Sequence, residues 1–211
     1  MTKRVLLSMA YLPPIQWVAH LASADEVWVE ACENYQKNSF RNRAHICTPT
    51  GVHLLSIPLA SGKHAQMPMR AVRIAYDEPW QSLHWATLQS AYGKSPFWVH
   101  YAHDFEPIFR QKFEYLWDWN FALLSLIIKL LRLDTQVLLT TQYDKITLPE
   151  MVDLRGVVAH KTAVLDLQFR PIRYPQVFEE QTGFVENCSI LDLLCCAGNQ
   201  SYDILRRSIC Y

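Results

Sequence analysis

Residues 4–30 read RVLLSMAYLPPIQWVAHLASADEVWVE, and the order of apolar and polar residues in this stretch predicts the fold class. Residues 5–9 and 27–29 are short apolar runs, as expected for buried strands. Between them, apolar residues recur at the spacing of a helix, at Ile15, Val18, Leu21 and Ala22. A strand, a helix and a second strand within about 30 residues predict a βαβ unit with parallel strands. The unit lacks a Gly-x-Gly-x-x-Gly, so it does not indicate a dinucleotide site.

The rest of the chain predicts a β-hairpin, two more strands and several helices. Two extended runs at residues 45–47 and 53–58 flank a Pro/Gly turn, which is typical of a hairpin. Residues 70–75 alternate in the manner of a strand, and residues 137–140 are typical of a buried strand. Helical patterns start at Pro79 and cover residues 105–116, 118–131 and 189–205.

Two details concern the ends of these helices. Asp118 or Asn120 is available to cap the helix over residues 118–131. Gly198 is expected to kink or stop the last helix.

Residues 142–187 show only a weak pattern, and a compact domain rarely tolerates so long a structureless loop. This segment is therefore expected to wrap the core or to cover a cleft.

Together these elements predict an α/β (or α+β) fold with an N-terminal βαβ-like unit, a β-hairpin and a helical second half. A length of 211 residues is typical of one domain, so residues 1–211 are expected to form a single domain. Half of the residues are hydrophobic, which excludes a disordered chain.

The composition also indicates which kinds of binding partner and which cellular compartment to expect. Lys plus Arg and Asp plus Glu are 20 each, and a general nucleic-acid binder needs a net basic surface, so no nucleic acid is expected as a partner. The longest strongly apolar run, residues 121–128, is too short to span a bilayer. The six cysteines include no Cys-x-x-Cys, and Cys195 and Cys196 lie in an apolar stretch typical of reduced thiols. These features predict a cytoplasmic protein without a disulfide framework.

Several motifs resemble those of the WbqC-like family over about residues 5–200. The most specific lies in ENYQKNSFRNR at residues 33–43, where Lys-Asn-x-x-Arg-Asn-Arg precedes an apolar hairpin. The others are YLPP at 11–14, LSIP at 55–58, Trp80 with His84-Trp85, SAYGKSPF at 90–97 and NCSILDLL at 187–194.

This resemblance implies a role in the biosynthesis of bacterial surface polysaccharide (O-antigen). The resemblance implies the transfer of glycine to an amino sugar, and the reaction predicted for this chain is the transfer of an acyl group or glycine to the amino group of a sugar on a nucleotide carrier. If the protein is not an enzyme, a carrier protein is the expected docking partner. One position departs from the family pattern, because many relatives have His-Gln-Pro-Asn ahead of Tyr-Leu-Pro and this chain has Leu7-Ser8-Met9-Ala10. The missing His and the many aromatic residues, which are favoured at interfaces, also suit an alternative, a non-enzymatic binding or assembly protein of the same pathway.

The two arginines of residues 33–43 predict a site for an anion. If the segment is extended, Arg41 and Arg43 share one face with about 6.6 Å between their Cα atoms, and Asn42 points the other way. Two guanidiniums at that spacing can fork onto the oxygens of a diphosphate or a carboxylate. The alternative is that both arginines pair with nearby carboxylates such as Glu30 and Glu33.

Three further residues of the same segment are assigned to substrate binding, together with Asn42. Lys37 and Asn38 would add a point charge and an amide at the mouth of the loop. Tyr35 would stack on a sugar or a base.

His84 and Tyr92 are the candidate catalytic residues. They lie two helical turns apart on nearly the same face, and a histidine with a pKa near neutrality is the usual general base for an attacking amine. The alternative for His84 is a core residue with its hydrogen bonds satisfied. His100, His103 and Asp104 give only a weak metal pattern, so neither a metal nor a cofactor is expected.

Overall fold

The computed structural model describes residues 3–60, 67–145, 150–158 and 165–210. In these residues the strands are β1 (Arg4–Ser8), β2 (Glu26–Glu30), β3 (Arg43–Thr48), β4 (Gly51–Ser56), β5 (Gln136–Leu139) and β6 (Met151–Asp153). The helices are α1 (Ile15–Ser23), α2 (Trp80–Tyr92), α3 (Trp98–Arg110), α4 (Leu116–Leu131), α5 (Glu179–Thr182), α6 (Ile190–Ala197) and α7 (Ser201–Arg207).

The predicted βαβ unit is confirmed. β1 and β2 are parallel and in register, with Val5 opposite Val27 and Leu7 opposite Val29. All four of these side chains are fully buried. The connection through α1 leaves the strands parallel, as expected for a crossover of this length.

Within the described residues, β5, β2, β1 and β6 form a parallel sheet in that order. The expected strand at residues 137–140 is confirmed as β5, which pairs with β2 at one edge. β6 at the other edge was not predicted, and it lies inside the segment 142–187 that showed no clear pattern. β2 and β5 therefore lie on one side of β1, and the chain then crosses to the other side of β1 to form β6.

The predicted hairpin is confirmed as β3 and β4, an antiparallel pair in which Ala44 faces Leu55 and Thr48 faces Gly51. Gly51 has a φ of 101°, a left-handed conformation that glycine adopts without strain. Residues 70–75 do not form the expected strand. They contain a 3₁₀ turn at Met69–Ala71 and single bridges from Arg73 and Ile74.

The helix predictions are partly confirmed. α2 starts directly after Pro79, and α4 ends at Leu131 as expected. Neither Asp118 nor Asn120 caps α4, because the N-cap is Tyr115, without a side-chain hydrogen bond. The helix expected at residues 105–116 is wrong in its bounds, since α3 spans Trp98–Arg110.

The last predicted helix is divided, as the expectation for Gly198 required. α6 ends at Ala197, a 3₁₀ turn covers Gly198–Gln200, and α7 follows. α7 packs on α1, so the end of the chain covers the first βαβ unit. None of the helices in the described ranges is both long enough and apolar enough to cross a membrane.

Candidate functional site

The carboxyl ends of the parallel strands define the candidate site. Ser8, Glu30 and Asp153 are the last residues of β1, β2 and β6. The chain reverses its direction of strand addition between β1 and β6, and open parallel sheets bind their ligands in the crevice beside such a reversal. Charged side chains from several segments meet at this edge.

The first group of side chains joins Ser8, Glu33 and Arg41. Nε of Arg41 donates to Oε1 of Glu33 over 2.8 Å, and Nη2 donates to Oε2 of Glu33 and, over 2.9 Å, to Oγ of Ser8. Oγ of Ser8 in turn donates to Oε2 of Glu33 over 2.9 Å. Glu33 and Arg41 are 3% and 4% exposed. Burial raises the pKa of Glu33, and the hydrogen bonds and charge of Arg41 oppose that rise.

The second group joins Glu30 and Arg155. Nη1 of Arg155 donates to Oε2 of Glu30 over 2.7 Å, and Nη2 donates to Oδ2 of Asp153 over 2.6 Å. Oγ1 of Thr140, directly after β5, donates to Oε1 of Glu30 over 2.6 Å. Hydrogen bonds to Asp153 raise the pKa of Arg155. The guanidinium also lies 4.9 Å from the ring centre of Tyr143.

The two groups act on each other electrostatically, because the charge of Glu30 contributes to raising the pKa of Glu33. We call Ser8, Glu30, Glu33, Arg41 and Arg155 the carboxyl-edge cluster. It contains two buried carboxylates and two guanidiniums, drawn from strand ends and loops far apart in the sequence. Such an arrangement can hold a polar ligand by charge and hydrogen bonding, and it can tune a carboxylate toward proton transfer.

The segment that carries the two arginines of the predicted anion site is not extended throughout. Residues 41 and 42 lie in a turn rather than in a strand, and Arg43 is the first residue of β3. The alternative of pairing with a nearby carboxylate holds for Arg41, through Glu33. In the described residues Arg43 makes no ion pair, and its Nε is buried without a hydrogen-bond partner.

The other predicted binding residues divide into exposed and buried ones. Lys37 and Asn38 are exposed, and Asn38 has a φ of 56°. Tyr35 and Asn42 are buried and bonded to each other, the Tyr35 hydroxyl donating to Oδ1 of Asn42 over 2.9 Å. Nδ2 of Asn42 donates to the carbonyl of Ile57 over 3.0 Å, which ties this turn to the end of the hairpin.

His84 lies in an aromatic environment on α2. Its Nδ1 is 3.0 Å from the hydroxyl of Tyr11, and its ring lies edge-on to Trp80 at 5.2 Å between centroids. It is 8% exposed. Burial lowers the pKa of His84 to about 4, so its imidazole is neutral at pH 7. This environment is the one expected if His84 is a core residue rather than a general base.

Tyr92 lies two turns further along α2 and is fully buried. Its hydroxyl accepts a hydrogen bond from the backbone N–H of Cys47 over 3.3 Å. Burial raises the pKa of Tyr92, and the nearby charge of Asp192 adds to that rise. Both residues therefore contact the hairpin, Tyr92 at Cys47 and His84 at the backbone of Ser56. Tyr92 in addition lies near α6, and His84 contacts Tyr11 and Trp80.

Comparison with known proteins identifies the family. A family model described as the WbqC-like protein family matches residues 9–160, which is more than half of the chain. The chain belongs to the WbqC-like family. No curated protein and no solved structure matches it.

Membership places most of the carboxyl-edge cluster inside the matched WbqC-like region, with Ser8 one residue before it. Leu7, at the position where the resemblance gives many WbqC-like relatives a His, is fully buried in β1. The resemblance also includes a further patch, Arg155 after Asp153-Leu154 and Lys161 after His160, to which the sequence assigns no chemistry. Of this patch, His160 and Lys161 lie outside the described residues.

Glu30, Glu33 and Arg155 were not predicted as site residues, although the sequence carries a signal for the two glutamates. Each follows the apolar run of β2 closely, and the ends of parallel strands meet at one edge of the sheet. Arg155 follows β6, whose three residues give no periodic pattern of their own.

His100 and His103 are exposed on α3, and Nε2 of His103 lies 3.3 Å from Oδ2 of Asp104. Among the described residues no group of three or more His, Cys, Asp or Glu side chains is placed to hold a metal ion.

Proposed function

We propose that this WbqC-like protein is a transferase of bacterial surface-polysaccharide biosynthesis. It joins an acyl group, such as a glycyl group, to the amino group of a nucleotide-linked sugar. The observation that carries the proposal is the pairing of two buried glutamates with the buried Arg41 and the half-buried Arg155 at the carboxyl edge of the sheet. Burying charge is costly and is weak evidence for stability, so a charged cluster at the carboxyl edge of a parallel sheet, beside the reversal of strand order, favours a role in ligand binding or catalysis.

Acyl transfer to an amine requires a proton acceptor and a stabilised oxyanion. The amine attacks the carbonyl carbon of an activated donor such as a thioester, a C–N bond forms, the thiolate leaves and the amine loses a proton. Glu33 suits the role of acceptor because burial brings its pKa upward. Arg155 suits stabilisation of the oxyanion, since its guanidinium stays charged at all working pH values.

The predicted site residues have supporting roles in this proposal. Arg43 and Lys37 remain without ion pairs in the described residues and can contact the diphosphate of the sugar nucleotide. Neutral His84 and Tyr92 position rather than transfer protons, His84 through its contact with the Tyr11 hydroxyl and Tyr92 through its bond to the hairpin.

A second candidate, a non-enzymatic binding or assembly protein of the same pathway, is favoured by exposed apolar side chains. Val52 and Leu54 on β4 are 56% and 39% exposed, and Leu83 on α2 is 56% exposed. Exposed apolar residues of this kind are used at protein interfaces. This candidate requires no chemistry at the carboxyl-edge cluster.

Calorimetric titration of the full chain with nucleotide-linked amino sugars tests the proposal. We expect the wild type to bind, Arg155→Gln to bind at least tenfold more weakly, and Arg110→Ala to bind as the wild type does. Arg110 is a matched control because it is an exposed arginine whose ion pair within the described ranges is with Glu106 on its own helix.

Incubation with an acyl thioester, followed by mass spectrometry of the sugar, tests the reaction itself. We expect an N-acylated product with the wild type and loss of that product with Glu33→Gln, which keeps the shape of the side chain. Saturable binding without any product would favour the assembly protein. Equal binding by the wild type and Arg155→Gln would rule out the carboxyl-edge cluster as the site.

A further inference from the structure

A second cleft lies between α3, the end of α4 and the 3₁₀ turn that precedes α7. Its volume is about 480 Å³, and its polar lining comes from His100, Tyr101, Asp104, Lys129, Arg132 and Asn199. No residue of the carboxyl-edge cluster lines it. Arg132 belongs to the loop that enters the amino end of β5, whereas the cluster lies at the carboxyl ends of the strands.

The charge of this cleft is predominantly positive. In the described part of the chain neither Lys129 nor Arg132 forms an ion pair, and both are exposed. Asp104 contributes the one carboxylate of the lining, and it lies 3.3 Å from His103, outside the cleft. Two cations and an imidazole therefore share the lining of this cleft with one carboxylate.

The negative end of the α4 dipole accounts for part of this arrangement, because cations are favoured at the carboxyl end of a helix. It does not account for the backbone of Arg132, which has a φ of 52°. Glycine is the usual residue in this conformation, and a long side chain there is strained. Nor does it account for His100 and Asn199, which belong to other elements and line the same space.

We propose that this cleft binds a phosphorylated small molecule, with its phosphate oxygens on Lys129 and Arg132. The planar guanidinium of Arg132 can donate two hydrogen bonds to one phosphate, and the ammonium of Lys129 adds a point charge. The half-buried rings of Phe97 and Tyr101 supply an apolar wall for the remainder of the ligand. Burial raises the pKa of Tyr101, so its hydroxyl stays protonated and can donate.

The size of the cleft supports a ligand larger than an inorganic ion. About 480 Å³ falls within the range of small-molecule sites, which combine apolar walls with a few polar groups. The inference does not depend on the proposed transferase, since the two sites share no residue.

Calorimetry of the full chain with inorganic pyrophosphate at low salt tests this site. We expect saturable binding by the wild type, which weakens about tenfold in Lys129→Ala, because a charge-assisted hydrogen bond is lost. Arg132→Gly should weaken binding to a similar extent. Glycine prefers the left-handed backbone at position 132, so this variant keeps its fold while losing the guanidinium.

Two further variants separate this cleft from general attraction of anions. Asp104→Asn should bind pyrophosphate several-fold more tightly, since it removes the carboxylate from the lining. Arg110→Ala removes a positive charge at the end of α3, as Arg132→Gly does in the cleft, but Arg110 does not line the cleft. This variant should therefore bind pyrophosphate as the wild type does. The proposal is wrong if the wild type shows no saturable binding, or if Arg110→Ala weakens binding as much as Arg132→Gly.

Discussion

At the scale of single residues, Arg41 illustrates how burial changes the role of a charged side chain. All of its ion pairing in the described residues is with Glu33, and both side chains are almost completely removed from water. A buried carboxylate that loses its cation keeps the cost of desolvation without the compensating attraction. Arg41 therefore stabilises the local structure through its ion pair with Glu33.

We predict that Arg41→Ala lowers the free energy of unfolding by about 3 to 5 kcal/mol, the range for breaking a buried pair on one side. Arg43→Ala is the matched control, because Arg43 has no ion pair in the described residues, and it should cost less than about 1 kcal/mol. Urea denaturation at pH 7 measures both. Equal losses would show that the ion pair with Glu33 contributes nothing specific.

The pKa of His84 gives a second prediction, concerning pH. Folding lowers this pKa from 6.5 to about 4, so the unfolded chain takes up the proton first as the pH falls. The contribution of the neutral His84 side chain to the free energy of unfolding is therefore fully present above about pH 6.5 and is lost as the pH falls toward 4. Its upper limit is about 3 kcal/mol.

His84→Gln removes this titration, so its unfolding free energy should fall less steeply than that of the wild type between pH 6.5 and 4. His103→Gln is the control, since the His103 side chain is 72% exposed. Urea unfolding at a series of pH values measures the difference. Parallel pH profiles for wild type and His84→Gln would contradict the prediction.

At this scale the sequence could predict a side-chain contact only where the two residues were close along the chain. Glu33 is eight residues from Arg41, and their pairing was foreseen as an alternative. Glu30 and Arg155 are 125 residues apart, and only the pairing of β6 with β1 brings them together. The contact between His84 and Tyr11 joins residues 73 apart and was equally invisible.

At the scale of elements, periodicity predicted the long and strongly patterned segments and failed for short or interrupted ones. β1, α1 and β2 carry complete patterns and were predicted correctly. The helix predicted at residues 105–116 was displaced: α3 spans Trp98–Arg110 and holds Pro107 in its last turn, although proline is favoured in the first turn of a helix. β6 has three residues, too few to show an alternation, and its position is fixed by pairing with β1.

The junction of α6 and α7 gives a prediction for a glycine. Gly198 has a φ of 54°, and a Cβ at this position would lie 2.5 Å from the ring of Phe97. Gly198→Ala therefore adds both backbone strain and a steric clash, and we expect a loss of about 2 to 4 kcal/mol.

Gly156→Ala is the control for this change, because a Cβ there meets no atom within 4 Å and the backbone is not left-handed. It should be neutral or stabilising by up to about 1 kcal/mol. Thermal and urea unfolding measure both variants. If Gly198→Ala is as stable as the wild type, the approach of Phe97 to the turn is not a tight one.

At the scale of the whole molecule, the sheet order explains why the candidate site lies where it does. β2 and β5 extend the sheet on one side of β1 and β6 extends it on the other, so the connections diverge at the carboxyl end of β1. Side chains that follow three different strands can therefore meet above the sheet edge. Local pattern predicted the parallel unit, but the position of the site required the strand order.

The cysteines provide a prediction about the same global packing. Of the six, Cys32 and Cys210 are exposed, while Cys47, Cys188, Cys195 and Cys196 are buried. Burial also raises the pKa of Cys196 to about 12, so that thiol carries almost no reactive thiolate at neutral pH. We expect dithionitrobenzoate to modify two thiols rapidly in the native protein and all six in denaturant.

Three of the remaining four thiols then report by their slow reaction how α6 opens, because Cys195 and Cys196 lie in that helix and Cys188 lies just before it, whereas Cys47 lies in β3. If the rate of modification falls as the free energy of unfolding is increased, these thiols become accessible through global unfolding rather than through local motion. Cys32→Ser is the control and should lose one rapid thiol without changing the slow phase. Rapid modification of four or more thiols in the native wild type would mean that α6 is not packed into the core as the structure has it.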